Sequence, residues 1–470
     1  MRAIGYGSRI VPDPPAGGLR DDPGRMPARS LPPARQGATT RAGGTISVDT
    51  VWDAAIVSVT DDITITNDAL LTVVPGVRIE FAGYFGILVV DGAIQAAGKA
   101  DNPITWTTSY PEAFDESQST AGCWNGITFL NLPAGAPESY LRWCVLEYAK
   151  AVPGLGLDGD GPRVGGRAFD GAGGALRIVG SSRVEVMGCR LRRNCADRGG
   201  ALAVHYGGAP VVMNSLLLDN VSWSRAGAVF VSYAYPVFWH DTLTLNRCVN
   251  PEMFDRTAGA VDHFHGKPLY TGCVIYANQT NHHEHHEVLE PKAYYTRYCD
   301  IAGFGEGVGC LDQDPLFVTH GSGRLSAGSP CRNAGSYLLA EQWLPEVDLD
   351  GFPRREGPEV DMGCYEFTPV SAADVATPVL ASDPRAWPNP CNPSTTVRFR
   401  IERTGRARLC ILDQRGRLVR TLVDGELPAG ELGVEWNGLD DGGRGAASGT
   451  YVIRLDNGGR TRTGSLTLVR

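Results

Sequence analysis

The chain has 470 residues, 43% of them apolar and 20% charged, with 59 Gly, 31 Pro and a formal net charge of −9. This length exceeds one ordinary domain and can bury a large core. The acidic balance argues against a general nucleic-acid binder, and no apolar run reaches the ~20 residues that a membrane-spanning helix needs.

Abundant Gly and Pro without any long helix-period stretch predict an all-β chain of short strands and turns. Residues 1–44, rich in Pro, Gly and Arg, are expected to be disordered and show no apolar signal-peptide core. From residue 45 onward short alternating runs follow one another: VWDAAIVSVTDDITITNDALLTVVPGVRIEF from Val51, ILVVDGAIQAAG from Ile87, DNPITWTT from Asp101 and WNGITF from Trp124. Gly, Asp-Gly and Asn-Pro turns separate them.

The middle of the chain repeats. GGALRI from Gly173, GGALAV from Gly199, AGAVFV from Ala226 and AGAVDH from Ala258 are spaced by 26, 27 and 32 residues. A second motif travels with the first, as CRLRRN from Cys189, SLLLDN from Ser215, DTLTLN from Asp241 and CVIYAN from Cys273, spaced by 26, 26 and 32. One insertion between Arg247 and Thr257 accounts for both long steps, and CVLEYA from Cys144 and CDIAGF from Cys299 extend the column outward.

Such a period, with two or three alternating apolar triplets per unit, describes one coil of a parallel β-helix in which each strand pairs with its equivalent one turn away. About ten coils are expected over residues 45–310. Alternation places Leu176/Ile178, Leu202/Val204 and Val229/Val231 in one internal row, and Leu191, Leu217, Leu243 and Ile275 in another. Asn194, Asn220, Asn246 and Asn278 end the second motif at the same place in each coil. Repeating amides at a turn predict a structural ladder bonded along the axis.

With PGVRIEF, DNPIT and WNGI, the stretch from Val51 to Ala149 resembles the opening of right-handed parallel β-helix proteins of the pectin-lyase-like type. The GGA and L-x-x-N repeats are similar to those of polymorphic outer-membrane proteins. Residues 311–367 resemble the closing unit of such β-helices through DPLF at Asp314, GSP at Gly328, AG at Ala334, DLDGFPR at Asp348 and VDMGCYEF at Val360. The resemblance implies that this segment covers the last apolar layer. Cys331 and Cys364 lie at the two ends of this compact segment, where the family usually carries Ala, and a disulfide between them is expected.

Residues 368–387 have a linker composition. Residues 388–470, with PNPCNP, DQRGR and WNGLDDGGRGAASGTY, resemble the FlgD-type immunoglobulin-like and type IX sorting-like modules that end many exported bacterial proteins. That resemblance implies a small β-sandwich, an extracellular or outer-membrane-surface location and contact with secretion machinery.

Chemistry is thinly marked. No set of carboxylates on consecutive coils matches the acid and base pair of a glycoside hydrolase, and Lys, a common lyase base, occurs only at 99, 150, 267 and 292. The reading is a non-catalytic protein that binds a polysaccharide or cell-envelope partner. A polysaccharide lyase or glycoside hydrolase is the alternative, and a purely structural surface component the second. Outward aromatic positions around Phe230, Tyr233, Tyr235 and Trp239, with His240 and Arg225 alongside, form the candidate sugar-binding surface.

No cofactor is required. His263 and His265 are expected to face one side of a strand, and with His282, His283, His285 and His286 they form a candidate transition-metal set that is outweighed by a solvated loop. Asp348, Asp350 and Asp361 are a candidate calcium set, outweighed by turn capping and neutralisation of Arg354. Arg183, Arg190, Arg192, Arg193 and Arg198 form a basic patch on or beside one coil.

Overall fold

The computed structural model describes residues 33–368 and 384–468, apart from 134, 155–162, 165–166, 169–170, 181–183, 250–256, 281–286, 290, 320–321, 338–343, 356, 388–394, 402–404, 414, 428–429, 443 and 458–459. It divides into two compact units, residues 1–368 and 369–470.

The first unit is a parallel β-helix. Each full coil runs through three faces and a fourth strand, as in Leu202–His205, Val211–Met213, Leu216–Leu218 and Val221–Arg225. The strands of these faces pair in parallel with their equivalents in neighbouring coils, so Leu202 sits between Leu176 and Val229, and Leu217 between Leu191 and Leu243. The second face is a nine-stranded sheet from Thr50–Trp52 to Thr296–Arg297. The first and third faces are joined into one sheet because the 12-residue strand Ala54–Ile65 contributes to both.

Apolar side chains alternate inward and stack into columns along the axis. Ile79, Trp106, Leu146, Leu191, Leu217, Leu243, Ile275 and Ile301 follow one another in register, each no more than 1% exposed. Fully burying such a side chain contributes about 1.5–3 kcal/mol, and one continuous core results.

Corners are made by left-handed residues at repeating positions. Trp143, Gly188, Asn214, His240, Gly272 and Tyr298 all have positive φ where the second face meets the third. Tyr148, Arg193, Asp219, Leu245 and Ala277 do the same after the third. Left-handed backbone costs a non-Gly residue roughly 1–2 kcal/mol, so burial and side-chain ladders must hold these corners.

One ladder is made of amides. Asn194 Nδ2 donates to Asn220 Oδ1 at 3.0 Å, Asn220 Nδ2 to Asn246 Oδ1 at 2.9 Å and Asn246 Nδ2 to Asn278 Oδ1 at 2.7 Å. The Ala149 amide bonds Asn194 Oδ1 at one end, and Asn278 Nδ2 donates to buried Glu287 at 2.6 Å at the other.

Four expectations are corrected by the structure. Residues 35–44 belong to the strand Arg35–Ile46, which pairs in parallel with Ala54–Ile65, so the polar N-terminal composition extends into the solenoid; residues 1–32 lie outside the described set. The segment after residue 311 does not simply close the end. Leu311 still bridges Asp300 as a last coil, and the chain then doubles back along the outside of the third face. There Leu325, Cys331 and Met362 pack with Val274, while Leu349, Cys364 and Tyr365 pack with Leu216.

The third correction concerns the disulfide. Cys331 and Cys364 are free thiols in these two separate clusters: Cys331 Sγ donates to Asp300 Oδ2 at 3.0 Å, and the Cys364 amide bonds Thr242 Oγ1. All eleven described cysteines are free, and Cys391 lies outside the described residues.

The second unit holds two antiparallel sheets, one of Arg385–Trp387, Thr395–Ile401 and Gly430–Trp436 and one of Gly405–Leu412, Leu418–Leu427, Gly449–Asn457 and Arg460–Leu468. Val397, Phe399, Leu409, Ile411, Trp436, Ile453 and Leu466 form its core. The D-x-x-G-R turn works through Asp413, whose Oδ1 accepts the Arg415 and Arg417 amides at 2.9 Å each. Arg385–Trp387 is a strand of this unit, which shortens the expected linker; residues 369–383 lie outside the described set.

Candidate binding surface

The corner between the first and second faces is built from equivalent residues of successive coils, seven places after the start of each GGA-type motif. These are Gly180, Tyr206, Tyr233 and His265, with φ of +76°, +45°, +51° and +53°. Left-handed backbone at the strand end throws each side chain off the sheet and over its neighbour one coil away. Tyr206 and Tyr233 stack with ring centroids 5.7 Å apart and planes 9° apart, and Tyr233 and His265 with 5.0 Å and 25°.

Phe264 stands edge-on to both Tyr233 and His265, at 5.6 and 4.4 Å. Tyr233 and Phe264 are each 38% exposed and Tyr235 52%. Stacking turns most ring faces of the column on one another, while Phe264 and Tyr235 add exposed ring surface. Such a rail offers apolar contact and hydroxyl bonding together, the combination that amphipathic aromatic side chains bring to a binding surface.

The rest of the expected sugar surface is closed. Phe230 is 4% exposed, with the Arg225 guanidinium 5.2 Å and the Arg198 guanidinium 5.9 Å from its ring centroid. Arg225 is committed to buried Asp262 through a bidentate pair at 2.6 and 2.7 Å. Trp239 is 6% exposed and His240 1%.

His240 points into the returning segment rather than to solvent: its Nδ1 lies 3.1 Å from Arg354 Nη2 and 3.2 Å from the Asp361 carbonyl. Burial, with the Arg354 cation beside it, holds His240 well below the usual histidine range. Arg354 and Asp361 of the returning segment thus cover His240; residues 250–256 of the insertion lie outside the described residues.

The expected polar sets separate in the same way. His265 leaves the strand Val261–Phe264 for the aromatic column, so it does not share a face with His263; His282, His283, His285 and His286 lie outside the described residues. Among the described residues no three metal-binding side chains converge. Asp348 accepts the Asp350, Phe352 and Glu366 amides, Asp361 accepts those of Asn333 and Phe367, and Asp350 pairs with Arg324 and Arg190. These carboxylates therefore tie the returning segment together.

The Arg patch is dispersed on partners: Arg190 bonds the Leu349 carbonyl, Arg192 pairs with Glu147, Arg193 with Asp219 and Arg198 with Asp197, while Arg183 lies outside the described residues. On the first face the outward row holds Arg177, Phe230 and Asp262, with His205 in the next row, all buried. Burial, then the Arg177 and Arg198 charges, lowers His205 to about 3.

Sequence reasoning missed Tyr206, Phe264 and His265 as parts of one surface. The signal was the fixed offset from the repeat that already contained Tyr233.

Residues 394–459 match the FlgD Ig-like domain. No curated protein and no solved structure matches the chain. The matched domain is consistent with an extracellular or surface-associated protein, and no helix among the described residues is long and apolar enough to cross a membrane.

Proposed function

We propose that this is a surface-associated, non-catalytic β-helix protein that binds a polysaccharide along the aromatic corner at Tyr206, Tyr233, Tyr235, Phe264 and His265. The exposed, axis-parallel aromatic column carries the reading, because exposed aromatic surface on a rigid wall is apolar area that a sugar polymer covers without a large ordering cost. A polymer laid along the axis meets the same corner on successive coils, which adds contacts at little further entropic cost. The FlgD Ig-like domain supports a setting in which such polymers are found.

The test is a polysaccharide array probed with the full chain and with Tyr233→Ala/Phe264→Ala. Binding by the parent that falls about tenfold or more in the variant is expected. Failure of the parent to bind any member, or equal binding by a folded variant, overturns the proposal.

A further inference from the structure

The residue after each left-handed corner between the second and third faces belongs to a second ladder. Its members are Cys144, Cys189, Ser215, Asp241, Cys273, Cys299 and, after Gly309 at φ +69°, Cys310. Short polar side chains suit this place because each reaches the backbone of its own corner or of the next coil. The Cys189 amide bonds Ser215 Oγ at 3.1 Å, the Ser215 amide Asp241 Oδ1 at 2.8 Å and the Cys273 amide Cys299 Sγ at 3.4 Å. Ser215 and Asp241 divide the thiols into a pair, Cys144 and Cys189, and a run of three, Cys273, Cys299 and Cys310.

Register makes the three direct neighbours. Thr271 and Val274 pair with Arg297 and Asp300, and these bridge Val308 and Leu311 in turn. Adjacent strands lie about 4.8 Å apart, inside the ~4.4–6.8 Å range between Cα atoms that a disulfide spans. The thiols lean the same way, Cys273 Sγ toward the Thr271 carbonyl at 3.5 Å, Cys299 Sγ toward that of Arg297 at 3.2 Å and Cys310 Sγ toward that of Val308 at 3.9 Å. Access distinguishes them. Cys273 and Cys299 are fully buried and Cys144 and Cys189 no more than 1% exposed, whereas Cys310 alone among the eleven described cysteines is not buried.

We propose that Cys310 and Cys299 form an oxidation site, which a low-molecular-weight disulfide converts into a bond stapling the last coil to the one before it. The Cys310 thiolate attacks the small disulfide, breaking its S–S bond and releasing one thiolate. Cys299 then attacks the Cys310 sulfur and displaces the second. The two electrons given up by the cysteines reduce the oxidant, and their two protons leave on its two thiols. Cys331 is no rival for Cys299, since its Sγ bonds Asp300 Oδ2 within the separate cluster on the outside of the third face. The staple reinforces the bonds of the Leu311 amide to the Cys299 carbonyl at 2.8 Å and of the Gln313 amide to Asp300 at 3.0 Å. Disulfides of this kind persist outside the reducing cytosol, and the inference stands apart from the polysaccharide reading.

The experiment incubates the reduced full chain with oxidised glutathione at about pH 9, because the thiolate is the attacking form and burial raises Cys310 to about 11. The chain is then alkylated in urea, digested at glutamate and read by mass spectrometry; Glu306 separates the two cysteines. Expected is a disulfide-linked pair of peptides holding Cys299 and Cys310, with Cys273 alkylated. Hydrogen exchange at the Leu311 amide should slow about tenfold in the oxidised chain, as a closed loop opens less often.

A lasting glutathione adduct on Cys310 with Cys299 still alkylated, or alkylation of both, overturns the proposal. In Cys310→Ser the same treatment should leave Cys299 and Cys273 alkylated; oxidation of either would show that Cys310 is not the point of entry and overturn it as well. Unchanged or faster exchange at Leu311 after oxidation would remove the stapling role. Because the parent chain alone decides whether the bond forms, a folding defect in the variant leaves the test intact.

Discussion

Glu287 shows how one side chain sets the chemistry of a whole ladder. Its carboxylate ends the column from Asn194 to Asn278, accepting from both the amide and Nδ2 of Asn278 while 4% exposed. Burial raises it from 4.5 to about 7, against the opposing pull of those bonds. A raised carboxyl binds its proton more tightly when folded, so its contribution is complete below pH 4.5 and is lost as pH rises through about 7.

His205, lowered to about 3, has the opposite sign, contributing above pH 6.5 and losing that contribution as pH falls through about 3. The informative quantity is therefore the difference between wild type and Glu287→Gln in urea midpoints from pH 5 to pH 8. It should change with pH through the window near 7; a constant difference contradicts the assignment. Asn220→Ala removes bonds to Asn194, Asn246 and the Leu191 carbonyl. It is expected to cost about 2–4 kcal/mol in the same assay, and a loss under 1 kcal/mol would show that the ladder is replaceable by water. This ladder was legible in the sequence because its members recur at the coil period, whereas Glu287 was hidden by its place after a His-rich stretch.

At the scale of elements, the strands and corners follow from the period, but the returning segment does not. His240 and Asp361 meet across 121 residues, a contact that no local pattern announces. Without it Trp239 and His240 read as exposed groups, and Cys331 and Cys364 as partners across one small unit. The segment is held by Arg354, which is fully buried beside His240, 3.6 Å from Glu366 and bonded to the Asp361 carbonyl.

Arg354→Met should lower stability by about 2–3 kcal/mol, since the buried Asp361 carbonyl and Glu366 carboxyl lose a polar partner. It should also make the Cys364 thiol react with a maleimide under native conditions. In the wild type both Cys331 and Cys364 are expected to resist the reagent when folded and to label fully in urea without any reductant. Failure of the unfolded chain to label until reduced would restore the disulfide.

Across the whole molecule two cores divide the work, one running through the solenoid and one in the C-terminal sandwich. A chain ending at Thr368 should therefore keep the polysaccharide binding of the full chain, and loss of binding with the solenoid still folded would place the site elsewhere. Fold class was legible because the repeat is long and regular; the surface was half legible because Tyr233 was seen alone, outside its column. Hydroxyl-radical footprinting with and without a polysaccharide that the full chain binds tests the central claim most directly. Protection confined to Tyr206, Tyr233, Tyr235, Phe264 and His265, with exposed Tyr110 unchanged, is the predicted result. Protection elsewhere, with these five unaltered, would contradict it.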